Sequence, residues 1–314
     1  MTLIVALLLA GCTNGPARGD LADRPVRVVA TTSMIADLAR EIGGDRVAVE
    51  GLMGPGVDPH LYRASEGDVG RMTAADVIFY NGLHLEGKMA EVLEQVEGRG
   101  IAAEAVAEAV PADRLLYPPM FEGNPDPHVW MDVARWCYAA GAVADRLAAL
   151  DSTHAEGYRA RLAAYTARLD ALDAWVRSRV AEVPGDLRVL VTAHDAFGYF
   201  GEAYGFDVRG LQGISTATEA GTADVQELAA FVAERRIPAM FVESSISPRS
   251  IEAVRAAVRA RGFDVRIGGN LYSDALGGPG SGADTYEGMI RHNVNTIVDA
   301  LKGPGELATG ESGD

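Results

Sequence analysis

Two copies of the tripeptide Asp-Pro-His place a histidine directly after a proline, at His60 and at His128. Proline fixes its own φ and restricts the residue before it, so each histidine follows a stiff stretch of backbone. A stiff, half-buried imidazole suits a metal ion, because a side chain that is already positioned loses little freedom on binding. The chain has only six histidines. The repeat therefore predicts that these two belong to one metal site.

Two further side chains follow strands that are predicted in the second half of the chain. His194 follows the apolar segment 188–192, and Asp274 follows the segment 265–267. Ligands in open α/β sheets bind outside the carboxyl ends of the strands, so these side chains converge with the first two if the halves face each other. The candidate ligands are then His60, His128, His194 and Asp274. Three imidazoles and one carboxylate complete a tetrahedral Zn²⁺ site, and Mn²⁺ or Fe²⁺ also accepts these donors, especially with a bidentate carboxylate.

Four carboxylates and one further histidine are candidates to support these ligands. Asp58, Asp126 and Asp195 adjoin the proposed ligands, and Glu243 ends a predicted strand. A metal-bound imidazole usually donates its other ring N–H to a carboxylate, so these groups are expected to orient the histidines. For Asp58 and Asp126, a local turn bond to backbone N–H groups is an equal alternative. His84 also follows a strand and competes for a ligand role, although we favour a supporting position at the cleft edge.

The composition is that of an ordinary globular protein of 314 residues, 48% hydrophobic and 23% charged. This length allows two domains of about 150 residues each. The net charge of −16 argues against nucleic acid as a partner, because a phosphate-binding surface needs clustered lysine and arginine.

The N-terminus carries a targeting pattern. Residues 3–10 are apolar and end in Leu-Ala-Gly followed by Cys12. The run is shorter than the roughly 20 residues that span a bilayer, and it suits a secretory signal. Leu-Ala-Gly-Cys resembles a bacterial lipobox, in which the signal is cleaved before a cysteine that is then lipidated; an ordinary signal peptide with a chance cysteine is the alternative. We expect a lipoprotein signal peptide over residues 1–12, a flexible tether over residues 13–24 and attachment to the membrane through Cys12.

Strand and helix patterns alternate in both halves, which predicts an α/β fold with mostly parallel sheets covered by helices. We expect an N-terminal lobe over residues 25–150 and a C-terminal lobe over residues 185–303. The Ala-Glu repeat at residues 103–110 is interpreted as a surface helix or loop, and residues 304–314 as a disordered tail.

One long helix is predicted between the lobes, over residues 151–184. Its apolar residues recur at steps of three and four, at Tyr158, Leu162, Tyr165, Leu169, Leu172, Val176 and Val180. The alternative is a helical hairpin broken at Gly157.

The segments around the candidate ligands resemble those of a known family. Segments 52–62, 126–132, 192–200 and 271–276 resemble the four ligand segments of the cluster A-I (cluster 9) solute-binding proteins, and residues 241–245 resemble their penultimate strand. These proteins are the metal receptors of ABC importers for zinc and manganese. Within the family the chain is most similar to the TroA-type receptors, which take zinc and manganese. The resemblance covers roughly residues 24–302, nearly all of the predicted folded chain.

The resemblance implies two α/β lobes joined by one long helix, with the metal at their interface and the four candidate ligands around it. It implies an extracytoplasmic receptor rather than an enzyme, delivering Zn²⁺, Mn²⁺ or Fe²⁺ to an ABC permease and its ATPase subunit; we expect a monomer, lipid-anchored or free in the periplasm. Receptors usually classed as manganese-specific carry glutamate where His194 stands, and dedicated zinc receptors often carry a His-rich loop. This chain has neither feature, so both metals remain candidates.

Two other functions compete with the receptor. A metal-dependent hydrolase would use the same histidines, but a catalytic zinc keeps one position open for water and needs a general base, whereas four protein ligands close the site. A metal-binding surface adhesin is compatible with a lipid anchor, but a buried four-ligand site gives no reason for adhesion.

Overall fold

A computed structural model describes residues 21–121 and 123–302 of the chain. The predicted signal peptide, Cys12 and the predicted tail lie outside these residues. No helix in this described part is both long and apolar enough to cross a membrane.

The N-terminal half contains one four-stranded parallel sheet with the strand order β2-β1-β3-β4. Its elements are β1 (Val26–Ala30), α1 (Ser33–Gly43), β2 (Val47–Gly51), α2 (Glu66–Ala74), β3 (Val77–Tyr80), α3 (Ala90–Glu97), β4 (Ala102–Ala105) and α4 (Val133–Leu150). The central strands β1 and β3 are almost fully buried because helices cover both faces of the sheet, as is usual for parallel sheets. The carboxyl ends of these strands all point to the same edge.

The C-terminal half repeats this arrangement with two parallel ladders, β5-β6 and β7-β8, whose inner strands β5 and β7 lie side by side. A long helix, α5 (Ala155–Val180), precedes it. The remaining elements are β5 (Val189–His194), α6 (Gly198–Tyr204), β6 (Asp207–Gln212), α7 (Thr222–Arg235), β7 (Ala239–Glu243), α8 (Arg249–Ala260), β8 (Arg266–Leu271) and α9 (Tyr286–Leu301). The predicted α/β class with parallel sheets and a long helix is confirmed.

Helix α5 has 26 residues and runs unbroken through Gly157, so the hairpin alternative is wrong. At about 1.5 Å per residue it is about 39 Å long. It is shorter at its N-terminus than predicted, because Ser152–His154 form a 3-10 turn. The carboxylate of Asp151 accepts a hydrogen bond from the Tyr158 hydroxyl at 2.8 Å and does not cap α5.

A single hydrophobic core joins the two halves. Helix α5 contacts α1 and α4 on the N-terminal side and α6 and α9 on the C-terminal side. The largest buried cluster accordingly includes Leu38 of α1, Leu169 of α5 and Ile297 of α9. Smaller clusters cover the far faces of the sheets. The two halves therefore cannot separate widely without exposing this shared core.

We expect truncation of Leu169 to destabilise the whole protein rather than one lobe. Leu169 is fully buried at the centre of α5. Leu169→Ala should lower the free energy of unfolding by about 2–5 kcal/mol, because it removes buried methyl groups and leaves a cavity. Arg159→Ala on the exposed face of α5 is the control and should change it by less than about 0.5 kcal/mol. Two separate urea transitions in Leu169→Ala, with only one shifted, would contradict a shared core.

The structure differs from the sequence-based predictions at two places. Residues 102–105 form the edge strand β4 rather than a surface helix or loop, because pairing with β3 outweighs the weak strand preference of alanine and glutamate. The predicted tether extends to Arg24, but Leu21–Asp23 form a 3-10 turn and Arg24 pairs with Asp76 at 2.6 Å. The described chain is therefore folded from Leu21 onwards.

Candidate metal centre

Four side chains from both halves of the chain meet at the interface between the lobes. They are His60 in the loop after β2, His128 in the loop before α4, His194 at the end of β5 and Asp274 after β8. All four residues are buried, with exposed fractions between 0% and 4%. One ligand atom from each lies within 4.8 Å of the others. The structure thus brings together all four residues that the sequence proposes as ligands.

The distances between the ligand atoms are those of a small coordination shell. The Nε2 atoms of His60 and His128 are 3.3 Å apart, and the Nε2 atom of His194 is 3.2 Å from Oδ2 of Asp274. A tetrahedron with metal–ligand distances of about 2.0–2.1 Å has edges of about 3.3 Å. The longer contacts, 3.6 Å and 4.0 Å, join the Asp274 carboxylate to His128 and His60. Both oxygens of Asp274 face imidazoles, so the carboxylate suits one-oxygen or two-oxygen ligation.

The centre of the cluster holds buried polar atoms without hydrogen-bond partners. They include Nε2 of His194 and both carboxylate oxygens of Asp274. Leaving such groups unpaired in a protein interior is costly, and most buried polar atoms in proteins are therefore paired. A cation between the imidazoles and the carboxylate would satisfy all three atoms at once.

Two carboxylates hold two of the imidazoles from behind. Oδ1 of Asp126 lies 2.7 Å from Nδ1 of His128 and also accepts the backbone N–H of His128 at 2.9 Å. Oε2 of Glu243 lies 2.6 Å from Nδ1 of His194, while Oε1 accepts the backbone N–H of His194 at 2.9 Å. The contact at His128 is a hydrogen bond, whereas the one at His194 is a close charge contact whose two atoms have no hydrogen-bond partner in the described chain. In both cases a carboxylate lies beside Nδ1 and Nε2 points to the shared centre, which is the arrangement that metal-bound histidines usually have.

Asp58 holds the His60 loop rather than the imidazole. Its Oδ1 accepts the backbone N–H of His60 at 2.9 Å, as in the turn-bond alternative, and its Oδ2 accepts the Thr216 hydroxyl at 2.6 Å. Asp58 therefore connects the first ligand loop to the opposite lobe. Thr216 was missed from the sequence, because it lies 158 residues away in a loop without a motif.

Asp195 and His84 do not contact the ligand imidazoles through hydrogen bonds in the described chain. Asp195 follows His194, and its backbone N–H donates to the carbonyl of Gln212. His84 is exposed, has a left-handed backbone with φ of 67°, and lines a separate groove with Tyr80 and Glu108. The expectation that His84 supports the site is therefore not met by its position.

A buried network behind the second Asp-Pro-His loop was also missed. The side-chain amide of Asn81 donates to the carbonyl of Pro127 at 3.0 Å, directly before His128. The backbone N–H of Asn81 donates to the Glu86 carboxylate at 2.8 Å, which also accepts the Thr31 hydroxyl at 2.7 Å. Glu86 lies between apolar residues a few positions after the buried strand β3, and this placement is the signal that could have revealed the network.

The electrostatics differ between the two lobes. Burial lowers the pKa of His60 to about 3, against the attraction of Asp274, so this imidazole is neutral. Burial also disfavours a charged His194, but the carboxylates of Glu243 and Asp274 outweigh it and raise the pKa of His194 well above 6.5. Burial alone would raise the pKa of Asp274, but the attraction of His194 and the other imidazoles lowers this pKa by more than burial raises it. The carboxylate therefore stays ionised.

The backbone beside His194 is tightly packed. A Cβ atom added at Gly210 of β6 would lie 2.4 Å from the amide nitrogen of Asp195 and 2.7 Å from the carbonyl carbon of His194. No side chain fits at such distances. Glycine at this position therefore allows β6 to lie against the strand end that carries His194, one of the four proposed ligands.

Comparison with known proteins places the chain among metal-binding transport components. Residues 28–300 match the family model of ZnuA, described as zinc-uptake complex component A, periplasmic. The manganese-binding lipoprotein MntA of Bacillus subtilis (strain 168) is 50% identical over 301 residues, which cover 96% of this chain and 97% of the relative. The zinc-binding protein TroA of Treponema pallidum (strain Nichols) is also 50% identical, over 295 residues that cover 94% of this chain and 95% of the relative.

A solved structure shares the fold over most of the chain. The periplasmic zinc-binding protein TroA from Treponema pallidum superposes with a TM-score of 0.86 at 51% sequence identity. The match covers 88% of this chain and 99% of the other. This likeness confirms the predicted two-lobe architecture.

Proposed function

The chain belongs to the ZnuA family of zinc-uptake components, and we propose that it is the extracytoplasmic receptor of an ABC importer, binding Zn²⁺ or Mn²⁺ between its lobes. The observation that carries this proposal is the buried group His60, His128, His194 and Asp274, drawn from both lobes. The family consists of transport components, and membership in it agrees with a role in capturing a metal ion and delivering it. The ion is the cargo, and the chain acts by binding and releasing it.

The choice of metal is open on similarity alone. The two relatives at 50% identity are named for different metals, manganese for one and zinc for the other. Three nitrogens and one oxygen in a tetrahedral arrangement favour zinc. A carboxylate with both oxygens directed at the centre also serves manganese, and Fe²⁺ has similar requirements. We propose zinc and manganese as cargo, with iron as a further candidate.

The partners follow from the transport role. An importer of this type has a membrane permease and an ATPase subunit, and the receptor delivers its bound ion to the permease. We propose attachment to the membrane through lipidated Cys12, outside the described residues, or release into the periplasm. We propose a monomer, since both halves of the ligand set come from one chain.

His60→Ala tests the proposed function. Protein purified without added metal should contain about one zinc or manganese ion per chain, because residues 21–121 and 123–302 contain one such four-ligand group. His60→Ala should lose the ion, and a strain that relies on this receptor should stop growing when metal is limiting. His292→Ala is the matched control, because His292 is exposed and lies outside the four-residue group: its Nε2 contacts the backbone carbonyl of Asn270 and its ring packs against Tyr272. Metal-dependent growth that survives His60→Ala would refute a receptor role, whereas retained adhesion alone would favour the adhesin.

A further inference from the structure

Trp130 lies in the seam between the two lobes, two residues after His128. It belongs to the 3-10 turn Val129–Met131 and is buried, with 1% of its surface exposed. None of the roles assigned above involves this side chain. Its contacts nevertheless reach one proposed ligand from each lobe.

The indole contacts His128 directly and Asp274 through one residue. Its ring meets the His128 imidazole edge to face, with centroids 5.2 Å apart and planes at 67°. Its Nε1–H donates to the carbonyl of Ser273, the residue before Asp274, at 2.8 Å in a buried hydrogen bond. A single rigid side chain therefore spans the two chain segments that carry these ligands.

Helix α9 holds Trp130 in place. The Tyr286 hydroxyl donates to the backbone carbonyl of Trp130 at 2.8 Å. Trp130 is thus bonded to the C-terminal lobe through both its side chain and its backbone, although it belongs to the N-terminal half. Neither bond is exposed to solvent, so both are harder to replace by water than a surface bond would be.

We propose that Trp130 is a positioning residue that sets the separation and orientation of His128 and Asp274, and thereby the preference between zinc and manganese; this rests on the proposed function. The two oxygens of Asp274 face different imidazoles, Oδ1 at 3.6 Å from His128 and Oδ2 at 3.2 Å from His194. Zinc needs only one of these oxygens in a tetrahedral shell. Manganese favours oxygen ligands and gains more from both. If the Asp274 carboxylate is free to rotate, the affinity for manganese should therefore fall more than the affinity for zinc.

Trp130→Phe in the full chain removes the Nε1–H but keeps an aromatic ring beside His128. Zn²⁺ and Mn²⁺ affinities are measured by competition with a chromophoric chelator. Manganese binding should weaken by about 10- to 100-fold, as for other groups that orient metal ligands, and zinc binding by about threefold or less. The zinc-to-manganese preference should therefore rise by at least about threefold.

Trp136→Phe is the matched control. Trp136 is fully buried, donates from Nε1 to the Tyr165 hydroxyl at 3.2 Å and stacks on Tyr286. The described chain shows no contact of this ring with the four ligands. Trp136→Phe should lower the melting temperature of the metal-free protein at least as much as Trp130→Phe, with an unchanged metal preference. Equal shifts of preference in both variants, or none in Trp130→Phe, would overturn the proposal.

Tyr286→Phe decides the matter if Trp130→Phe does not fold. It removes only the hydroxyl bonded to the Trp130 carbonyl and should shift the preference in the same direction by a smaller factor. An unchanged preference in Tyr286→Phe would then overturn the role of Trp130. Wild-type protein that binds neither ion refutes the proposed function itself, and the positioning role with it. Wild-type binding with no selective effect in these variants refutes the positioning role alone.

Discussion

Asp274→Asn should weaken the binding of both Zn²⁺ and Mn²⁺ by at least about 100-fold, the upper end of the loss seen for groups that merely orient ligands. Asp274 supplies the only carboxylate among the four proposed ligands, and both its oxygens are buried without hydrogen-bond partners. Asparagine keeps the shape but removes the negative charge that balances a buried dication. Its NH₂ group would also face the imidazoles. Chelator competition on metal-free protein measures the loss.

Asp195→Asn is the control for Asp274→Asn. Asp195 is one residue from His194, and burial raises the pKa of its carboxyl to about 6, but it forms no hydrogen bond with an imidazole in the described chain. Asp195→Asn should leave the affinities for Zn²⁺ and Mn²⁺ within about threefold of wild type, because it changes a neighbour of the site and none of the four proposed ligands. Circular dichroism and thermal melting of each metal-free variant separate loss of binding from loss of folding. Binding by Asp274→Asn within tenfold of wild type would remove Asp274 from the ligand set.

The convergence of the four proposed ligands could be predicted because the sequence marks each of them locally. Each proposed ligand lies at or after the carboxyl end of a strand or in a proline-stiffened loop, and this topology sends such residues to one cleft. The Asp-Pro-His repeat indicates His60 and His128 directly. His84 follows a strand in the same way, but its left-handed backbone directs it to another groove. Local spacing places a residue near a strand end without giving the direction of its side chain.

The residues that contact and orient the proposed ligands could be predicted only in part. Asp126 is two residues from His128, and the sequence proposes it directly. Glu243 bonds His194 because strands β5 and β7 lie side by side, which the strand pattern suggests without giving the register. Thr216 and Trp130 act across the lobe interface. Contacts of that kind depend on how two lobes are packed, and no local pattern in one sequence records this packing.

The cross-lobe bonds bear on how the ion enters and leaves. The Thr216 hydroxyl bonds Asp58, and the Tyr199 hydroxyl donates to the backbone carbonyl of Asp126 at 2.8 Å. Each bond joins one lobe to a residue that adjoins a ligand loop of the other. Together with the core around α5, they favour small local movements over wide opening of the cleft. We therefore expect release of the ion to require breaking a few hydrogen bonds near the proposed ligands, such as those of Thr216 and Tyr199.

Metal binding should release at least one proton per ion at pH 7, and affinity should fall as the pH is lowered. The pKa of His194 is raised well above 6.5, so its imidazole holds a proton at neutral pH that the ion must displace. Affinity should therefore fall about tenfold per pH unit below that pKa. His60, with a pKa of about 3, adds no competition until the solution is far more acidic. Calorimetry at pH 7 in buffers with different ionisation enthalpies counts the protons released.

Glu243→Gln tests which group keeps His194 protonated in the metal-free protein. The Glu243 carboxylate is the group that raises the pKa of His194 most. Glutamine retains a similar shape without the charge, so the pKa of His194 should fall and fewer protons should be released at pH 7. Affinity should nevertheless weaken by about 10- to 100-fold, because the imidazole loses the carboxylate that orients it. A flatter pH profile together with weaker binding would be the combined result. Equal proton release in wild type and variant would mean that Glu243 does not control the charge of His194, leaving Asp274 as the group that holds the displaced proton on the ring.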